Sequence, residues 1–557
     1  MKKKSRSALC VNILIYFYLV LPNLIFIIGW LKWYWALLLG VLVSFACVRG
    51  FTDSERWNNS EIKGYDTGTM LKALLLIVLW VYLSGIGGYC FQNRDYGIRN
   101  AIFRALVQYD WPVISAEGSR GLIYYIGFWL PAAFIGKIFG MAAGNAMQVL
   151  WAAAGIFIVY YLICVYRSKM NLLPVIFMIF FSGLDFVGAW LLNEDIVNLK
   201  AGNHLEWWAR DFQFTSMTSQ LFWVFNQTIP AWVATIFILK QKNCRNMIFI
   251  LSLLMLSSTI PFVGLIPIVL YLYVKRIAEA KENWKEIFTF QNIVGAIPLG
   301  GCMFLYFSGN MSGKIFIENY EKWAIKGLVI TLPFVLLTGL LFVILALRRS
   351  QTAPHKNGKR KKWKEAATFP TIAAALSAAL FLFLYISGRI SENTSVGANG
   401  EQVVNEPSAI LLRYLLFYAI EFGGYLYFVA QTHKKDVQIY LITLILLICP
   451  FIKIGNGADF CMRASVPALF WLMLICMDTF EDILMSGKKH LIIGYCVILL
   501  LGALTPFNEI HRTVNITFWR ATRGESVRCP EKSIENNLLQ GEYFSGEINF
   551  FYKYFAK

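Results

Sequence analysis

The residues able to do chemistry gather in three stretches of an otherwise apolar chain. In the first, Gln92, Asn93, Arg94 and Asp95 are followed by Arg99, Asn100 and Arg104, along a short amphipathic helix ending at Trp111-Pro112. Arg99 follows Asp95 at the i,i+4 spacing, so the two share a helical face. Such a pair is either a surface ion pair worth a few tenths of a kcal/mol or a reactive group at the membrane edge. In the second case Asp95 serves as general base or metal ligand while the arginines receive phosphate in bidentate fashion.

The second stretch holds Asp185, Asn193, Glu194 and Asp195, then His204, Glu206, Trp207, Trp208, Arg210 and Asp211. Asp185 falls inside an apolar run, where an unpaired carboxylate is expensive and is read by default as functional. Its modest alternative is a hydrogen bond from Ser182 or a serine elsewhere. Trp207, Trp208, Phe212, Phe214, Trp223 and Phe225 form either an interfacial aromatic belt or a sugar-stacking platform, for which Asn226 and Gln227 would supply amides. The third stretch, Lys453, Asn456, Asp459 and Arg463 beside Gly455 and Gly457, is either a phosphate grip or a polar turn with Arg463 snorkelling. No HExxH, CxxC, Walker, GxSxG or Rossmann pattern accompanies them, so nothing points to zinc or nucleotide chemistry.

These groups must be positioned by membrane helices. Of 557 residues 57% are hydrophobic and 15% charged, against roughly 25% charged in a soluble domain. The apolar residues come in blocks of about 20, the length that crosses a hydrocarbon core of roughly 30 Å. Backbone groups in lipid must be satisfied internally and no barrel-like alternation is present, so the fold class is all-α integral membrane. The net charge of +18 sits in short clusters between apolar blocks, which is an orientation signal and not a nucleic-acid surface. Leu9 to Trp30 is too long for a cleavable signal and reads as a first anchor. Eleven cysteines are scattered through apolar blocks as small hydrophobes, with a Cys461–Cys529 disulfide as a minor alternative.

Placing Lys2 to Arg6, Arg49 to Lys63, Arg167 to Lys169, Lys240 to Arg245, Lys275 to Lys285, Arg348 to Lys364, His433 to Lys435 and Lys488 to His490 on one side predicts a cytoplasmic N-terminus and about fifteen spans. A tight pair folds from Met247 to Val274 around Pro261. The block Leu122 to Phe139 does not cross and lies as a re-entrant or interfacial helix at the outer face. The expected organisation is a transmembrane domain over residues 1–506, with outer loops 92–144 and 193–220, and an extracytoplasmic tail over 507–557. Membrane lipids surround it, in a multi-pass protein of a bacterial-type plasma membrane.

This layout resembles the GT-C superfamily of membrane glycosyltransferases, which use polyprenyl-phosphate sugars. Asp95 matches the acidic residue that follows an early span at the start of the first large outer loop. Gly121 to Gly140, GLIYYIGFWLPAAFIGKIFG, is similar to the family's juxtamembrane helix, and the Met247 to Val274 pair to its short central helices. Two spans precede the one before Asp95, a departure from the family pattern. The resemblance covers roughly the first half of the chain and implies attack of an acceptor hydroxyl on the anomeric carbon of a lipid-linked sugar. It implies Asp95, Asp185 and Glu194 as catalytic residues and Asp95 with Asp195 as ligands of a divalent ion, Mg or Mn. Arg99, Arg463, His204, Glu206, Trp207, Trp208, Asn226 and Gln227 are then the substrate-binding residues. The acceptor would be an envelope glycan, lipid or protein. The competing expectation is a transporter or flippase of lipid-linked polysaccharide precursors, disfavoured by the few charges deep in spans, chiefly Asp185, Arg413 and Glu421; an outer-face polymerase or ligase of polysaccharide chains is a variant of the glycosyltransferase reading. A non-catalytic scaffold, with the tail as partner surface, is the remaining one.

Overall fold

The computed structural model describes residues 2–54, 62–114, 120–191, 204–209, 212–280, 284–310, 394–396, 402–404, 414–433, 436–452, 458–531 and 549–557. Their regular secondary structure is helical apart from one short antiparallel pair, Thr394–Val396 with Gln402–Val404. Among them are seven helices long and apolar enough to cross a membrane: 11–30, 33–53, 141–167, 173–191, 217–240, 259–278 and 489–522. The chain has the helical composition of a multi-pass membrane protein. It divides into two compact units, residues 1–179, 217–352 and 509–557 in the first, 180–216 and 353–508 in the second.

In the first unit α1 (Lys2–Trp30) and α2 (Trp33–Asp53) form a hairpin, followed by α3 (Thr67–Leu83) and the amphipathic α4 (Tyr96–Gln108). α5 (Leu130–Phe139) has ten residues, about 15 Å of helix, half of what a crossing needs. It lies against α6 (Met141–Arg167), and a Cβ added to Gly144 would stand 3.1 Å from the Gly136 Cα, so small residues allow this contact. α7 (Leu173–Phe180) follows; α8 (Asp185–Leu191), past a break at 181–184, belongs to the second unit.

α9 (Met217–Lys240) is the most enclosed of the spanning helices: 94% of its apolar window is buried, against 22% for α2. It is broken at Val224, where φ −137° and ψ 31° leave the helical region. The pair expected to turn at Pro261 turns earlier. α10 (Met247–Ser252) ends in a turn over 253–258, and Pro261 lies in the first turn of α11 (Thr259–Ala280), where its missing N–H costs no hydrogen bond. α12 (Ala296–Phe307) completes this run.

Several basic loops meet at one end of this unit. Lys63 N–H donates to Ser168 O (3.0 Å), Met170 N–H to Lys63 O (2.8 Å), and Arg245 pairs with Asp53. At the other end of α2 the C-terminus docks: Lys557 N–H donates to Trp30 O (2.9 Å), Lys32 N–H to Phe555 O (2.8 Å), and Phe555 stacks on Trp35 at 4.8 Å.

The second unit is organised by the helix Val466–Ser486, with Pro467 at its start, and by Gly424–His433 and Val437–Ile448. Trp471, Phe470 and Met473 fill its core. The helix Lys489–Thr522 runs unbroken through Pro506, so the expected boundary at 506 falls within a helix. Cys461 and Cys529 are both free thiols.

Candidate functional site

The first constellation assembles around α4. Asp95 stands at its N-terminal end with a side chain 42% exposed, and Arg99, 6% exposed, reaches back to it at 3.3 Å. This is the expected i,i+4 pair, but only its carboxylate meets solvent. The guanidinium is buried over the rings of Tyr96 (5.7 Å) and Phe225 (5.9 Å), and its Nη1 has no hydrogen-bond partner. Phe225 follows the break in α9 and takes Tyr96, Phe128 and Trp129 around it at 5.6, 5.2 and 6.1 Å. Asn226 and Gln227 come next in the chain. Both are 1% exposed, and Asn226 Nδ2 and Gln227 Oε1 are again unsatisfied. Leaving such an atom dry costs about 1–3 kcal/mol, so each of these three atoms marks a place for a polar ligand group or water. Burial pushes the Tyr96 phenol well above its ordinary value, so it stays neutral and donates to Ser84 O at 2.8 Å.

Two further groups complete this neighbourhood. Asn93 Nδ2 donates to Phe222 O (3.0 Å), fixing the start of the loop to α9. Beside it Trp223 Nε1 donates to Glu509 Oε2 (2.9 Å), and Arg512 both pairs with Glu509 and lies over the Trp223 ring. Glu509 and Arg512 were read in sequence as tail; their i,i+3 spacing on a helix that continues past Pro506 is the signal that finds them. The residues that follow strap the loop. Cys529 N–H donates to Gln92 Oε1 (3.1 Å), which also accepts from Asn100 (2.8 Å), and Arg104 pairs with Glu531 at 2.8 Å.

The second constellation lies in the second unit. Asp185, 1% exposed, accepts from Ser182 Oγ and Thr505 Oγ1, each at 3.0 Å on Oδ2. The serine partner is the one expected; the threonine was not. Asp185 Oδ1 has no donor, and the carboxyl of Glu421, 4% exposed, lies within hydrogen-bonding reach of it. Two buried carboxyls side by side disfavour ionisation of both. Trp208 Nε1 donates to Glu421 Oε1 (3.1 Å). Trp208 is buried, as are Phe212 and Phe214, which pack on Phe417. Here they are core, neither belt nor platform; Trp207 is the exposed ring, at 45%.

Glu206 spends its oxygens on its own loop. Oε1 accepts from Ser216 N–H (2.9 Å), and Oε2 from Gln213 (3.1 Å) with His204 at 3.3 Å. It therefore ties His204 to Gln213 and Ser216. Arg463 pairs with Asp459 at 3.1 Å on the short helix Asp459–Ala464, which joins the loop where Cys461 donates to Gln213 O. Glu194, Asp195, Arg210, Asp211, Lys453 and Asn456 lie outside the described residues.

Of the two expected ligands of a divalent ion, Asp195 lies outside the described residues, leaving Asp95. Its charged neighbour is a guanidinium, which competes with a dication for the same oxygens, and among the described residues no group of three or more His, Cys, Asp or Glu is arranged to hold a metal. Comparison of the chain with protein-family models, curated proteins and solved structures gave no match.

Proposed function

We propose that the protein is a membrane glycosyltransferase that moves a sugar from a polyprenyl-phosphate donor to an envelope glycan, lipid or protein acceptor. The observation that carries this reading is the exposed Asp95 carboxylate paired with Arg99, which is buried over the Phe225 ring with an open Nη1, together with Asn226 and Gln227, the next residues of α9, whose buried amides have open hydrogen-bonding atoms. Sugars are bound by that combination of aromatic faces, amides and one charge pair. Asp95 takes the proton of the acceptor hydroxyl as its oxygen attacks the anomeric carbon. The bond from that carbon to the phosphate oxygen breaks, and its electron pair leaves with the polyprenyl phosphate. Arg99 is placed to receive the growing charge. The lipid tail of the donor stays in the bilayer, which suits a site on an interfacial helix. A chain of about fifteen spans with its N-terminus inside, in a bacterial plasma membrane, belongs to the same reading.

A second reading, a transporter or flippase of lipid-linked glycans, is favoured by the Asp185–Glu421 pair, two carboxyls buried among helices. One experiment separates the two. Purified protein in liposomes is given polyprenyl-phosphate donors with radiolabelled sugar, as wild type and as Asp95→Asn. Removal of a general base is expected to lower transfer by about 10²–10⁴-fold. Full transfer by a folded Asp95→Asn variant refutes the role of Asp95. Absence of transfer by wild type, with labelled lipid crossing between leaflets, establishes the transporter instead.

A further inference from the structure

Asn93, 7% exposed, uses the two ends of its carboxamide on two helices. At the start of α4 its Oδ1 accepts from Asp95 N–H (3.1 Å), and its main-chain carbonyl accepts from Tyr96 N–H (3.1 Å). Asparagine favours this local turn, in which a side-chain oxygen takes the N–H two positions on. Asp95 already has helical backbone angles, φ −71° and ψ −21°, and its own side chain makes no capping bond. An aspartate at a helix start ordinarily turns its carboxylate onto the N–H groups of the first turn. Here Asn93 caps instead, and the Asp95 carboxylate stands 42% exposed beside Arg99.

The other end of the carboxamide leaves α4. Nδ2 donates to Phe222 O (3.0 Å), two residues before the break in α9 at Val224. Phe225, the ring beneath the Arg99 guanidinium at 5.9 Å, follows directly after that break. Both members of the Asp95–Arg99 pair are thus referred to residues 222–225 of α9, the arginine through a ring and the aspartate through Asn93. The preceding residue is held by other elements. Gln92, 3% exposed, donates to Gly85 O (2.8 Å) and accepts from Asn100 Nδ2 (2.8 Å) and Cys529 N–H (3.1 Å), and its own N–H donates to Val527 O (3.2 Å).

We infer that Asn93 is a positioning residue for Asp95: its amide bridge to Phe222 O sets where that carboxylate stands against α9. This rests on the glycosyltransferase reading above, in which Asp95 takes the proton of the acceptor hydroxyl. A general base works within about 2.6–3.2 Å of the atom that gives up its proton, and misplacing a reacting group by about 1 Å costs about 10²-fold. Capping and bridging come apart on substitution. A serine or threonine at this position still accepts from the Asp95 N–H, but its single short hydroxyl does not also span to Phe222 O, so α4 keeps its first turn and loses its register on α9.

The test is sugar transfer by the full chain in liposomes, from a panel of polyprenyl-phosphate donors with radiolabelled sugar to total envelope lipid and glycan, for wild type, Asn93→Ser, Asp95→Asn and the double variant. Asn93→Ser is expected to lower kcat about 10²-fold with KM for the donor unchanged. In the Asp95→Asn background it is expected to lower kcat no further, because it acts through that carboxylate. A merely structural role lowers both backgrounds by the same factor. Amide exchange over 96–99 at the wild-type rate shows that the cap survives, and Asn93→Thr repeats the comparison where the serine variant does not fold. Wild-type kcat in Asn93→Ser, or equal losses in the two backgrounds, overturns the proposal alone. Absence of transfer by wild type, or full transfer by Asp95→Asn, overturns the reading beneath it and the proposal with it.

Discussion

Replacing Trp208 by Phe keeps a ring in a site 2% exposed while removing the N–H that donates to Glu421 Oε1 at 3.1 Å. Hydrogen bonds to charged groups contribute about 1.5–3 kcal/mol in soluble proteins, but those between membrane helices average about 0.6 and reach about 1.7. Glu421 is 4% exposed and its other polar neighbour in the pair is a carboxyl, so the loss falls near the upper membrane figure, about 1.5 kcal/mol. The smaller ring adds a packing cost unrelated to the hydrogen bond, and a double-mutant cycle with Glu421→Met removes it. Unfolding in mixed micelles by SDS, followed by circular dichroism, gives the four free energies. A coupling near 1.5 kcal/mol is about a 12-fold change in the unfolding constant. Glu421→Gln completes the test, because its amide N–H bonds Asp185 without placing two carboxyls side by side while its oxygen still accepts from Trp208. That variant is expected to match or exceed wild-type stability. A coupling under about 0.3 kcal/mol, well below the membrane average, or a Glu421→Gln variant as unstable as Glu421→Met, refutes the account of this pair.

Two other outcomes follow from groups outside that pair. Arg512→Met leaves Glu509, 1% exposed on its side chain, without its cation and is expected to cost about 3 kcal/mol; Glu509→Met added to it restores most of that loss in the same SDS titration, and failure to restore it disproves the ion pair's role. Asp66 caps α3 by accepting from Thr69 N–H at 2.7 Å, and this bond above all holds its carboxyl below the ordinary 3.8. Its folded value is depressed, so the cap's contribution is present above about pH 3.8 and is lost as pH falls through the lower folded value. Amide exchange over 67–70 should then rise on acidification relative to Asp66→Asn, which caps without titrating; parallel profiles contradict it.

The legible parts of the sequence were the local ones. Helices followed from apolar block length, and the Asp95–Arg99 pair from an i,i+4 spacing that needs only one element. Ser182 was found for Asp185 because it lies three residues away. Thr505 is 320 residues distant, and no periodicity in a single chain carries such a pairing. The same holds for Trp208 with Glu421, which stood out only as an isolated charge in an apolar run. Aromatic residues misled for a physical reason: a ring is equally at home at an interface, against a sugar or in a core, and only burial distinguishes Trp208 and Phe214 from Trp207. The turn after α10 was misplaced because Pro261 signals a stop or a first turn with equal force.

The enclosure of α9 bears on how the chain is made. Its hydropathy, 1.4, is the lowest of the seven spanning helices, while α6 stands at 2.2, because Thr218, Ser219, Gln220, Asn226, Gln227, Thr228 and Thr235 all lie within it. A segment leaving the translocon is sorted by its own partition into lipid, and α9 partitions poorly for a helix that ends up inside. Its favourable surroundings are protein: α6, which precedes it in synthesis, already waits in the membrane. Insertion of α9 is thus expected to be cooperative with helices made earlier, so that a lesion in α6 would be felt first as α9 slipping into the wrong compartment during biogenesis.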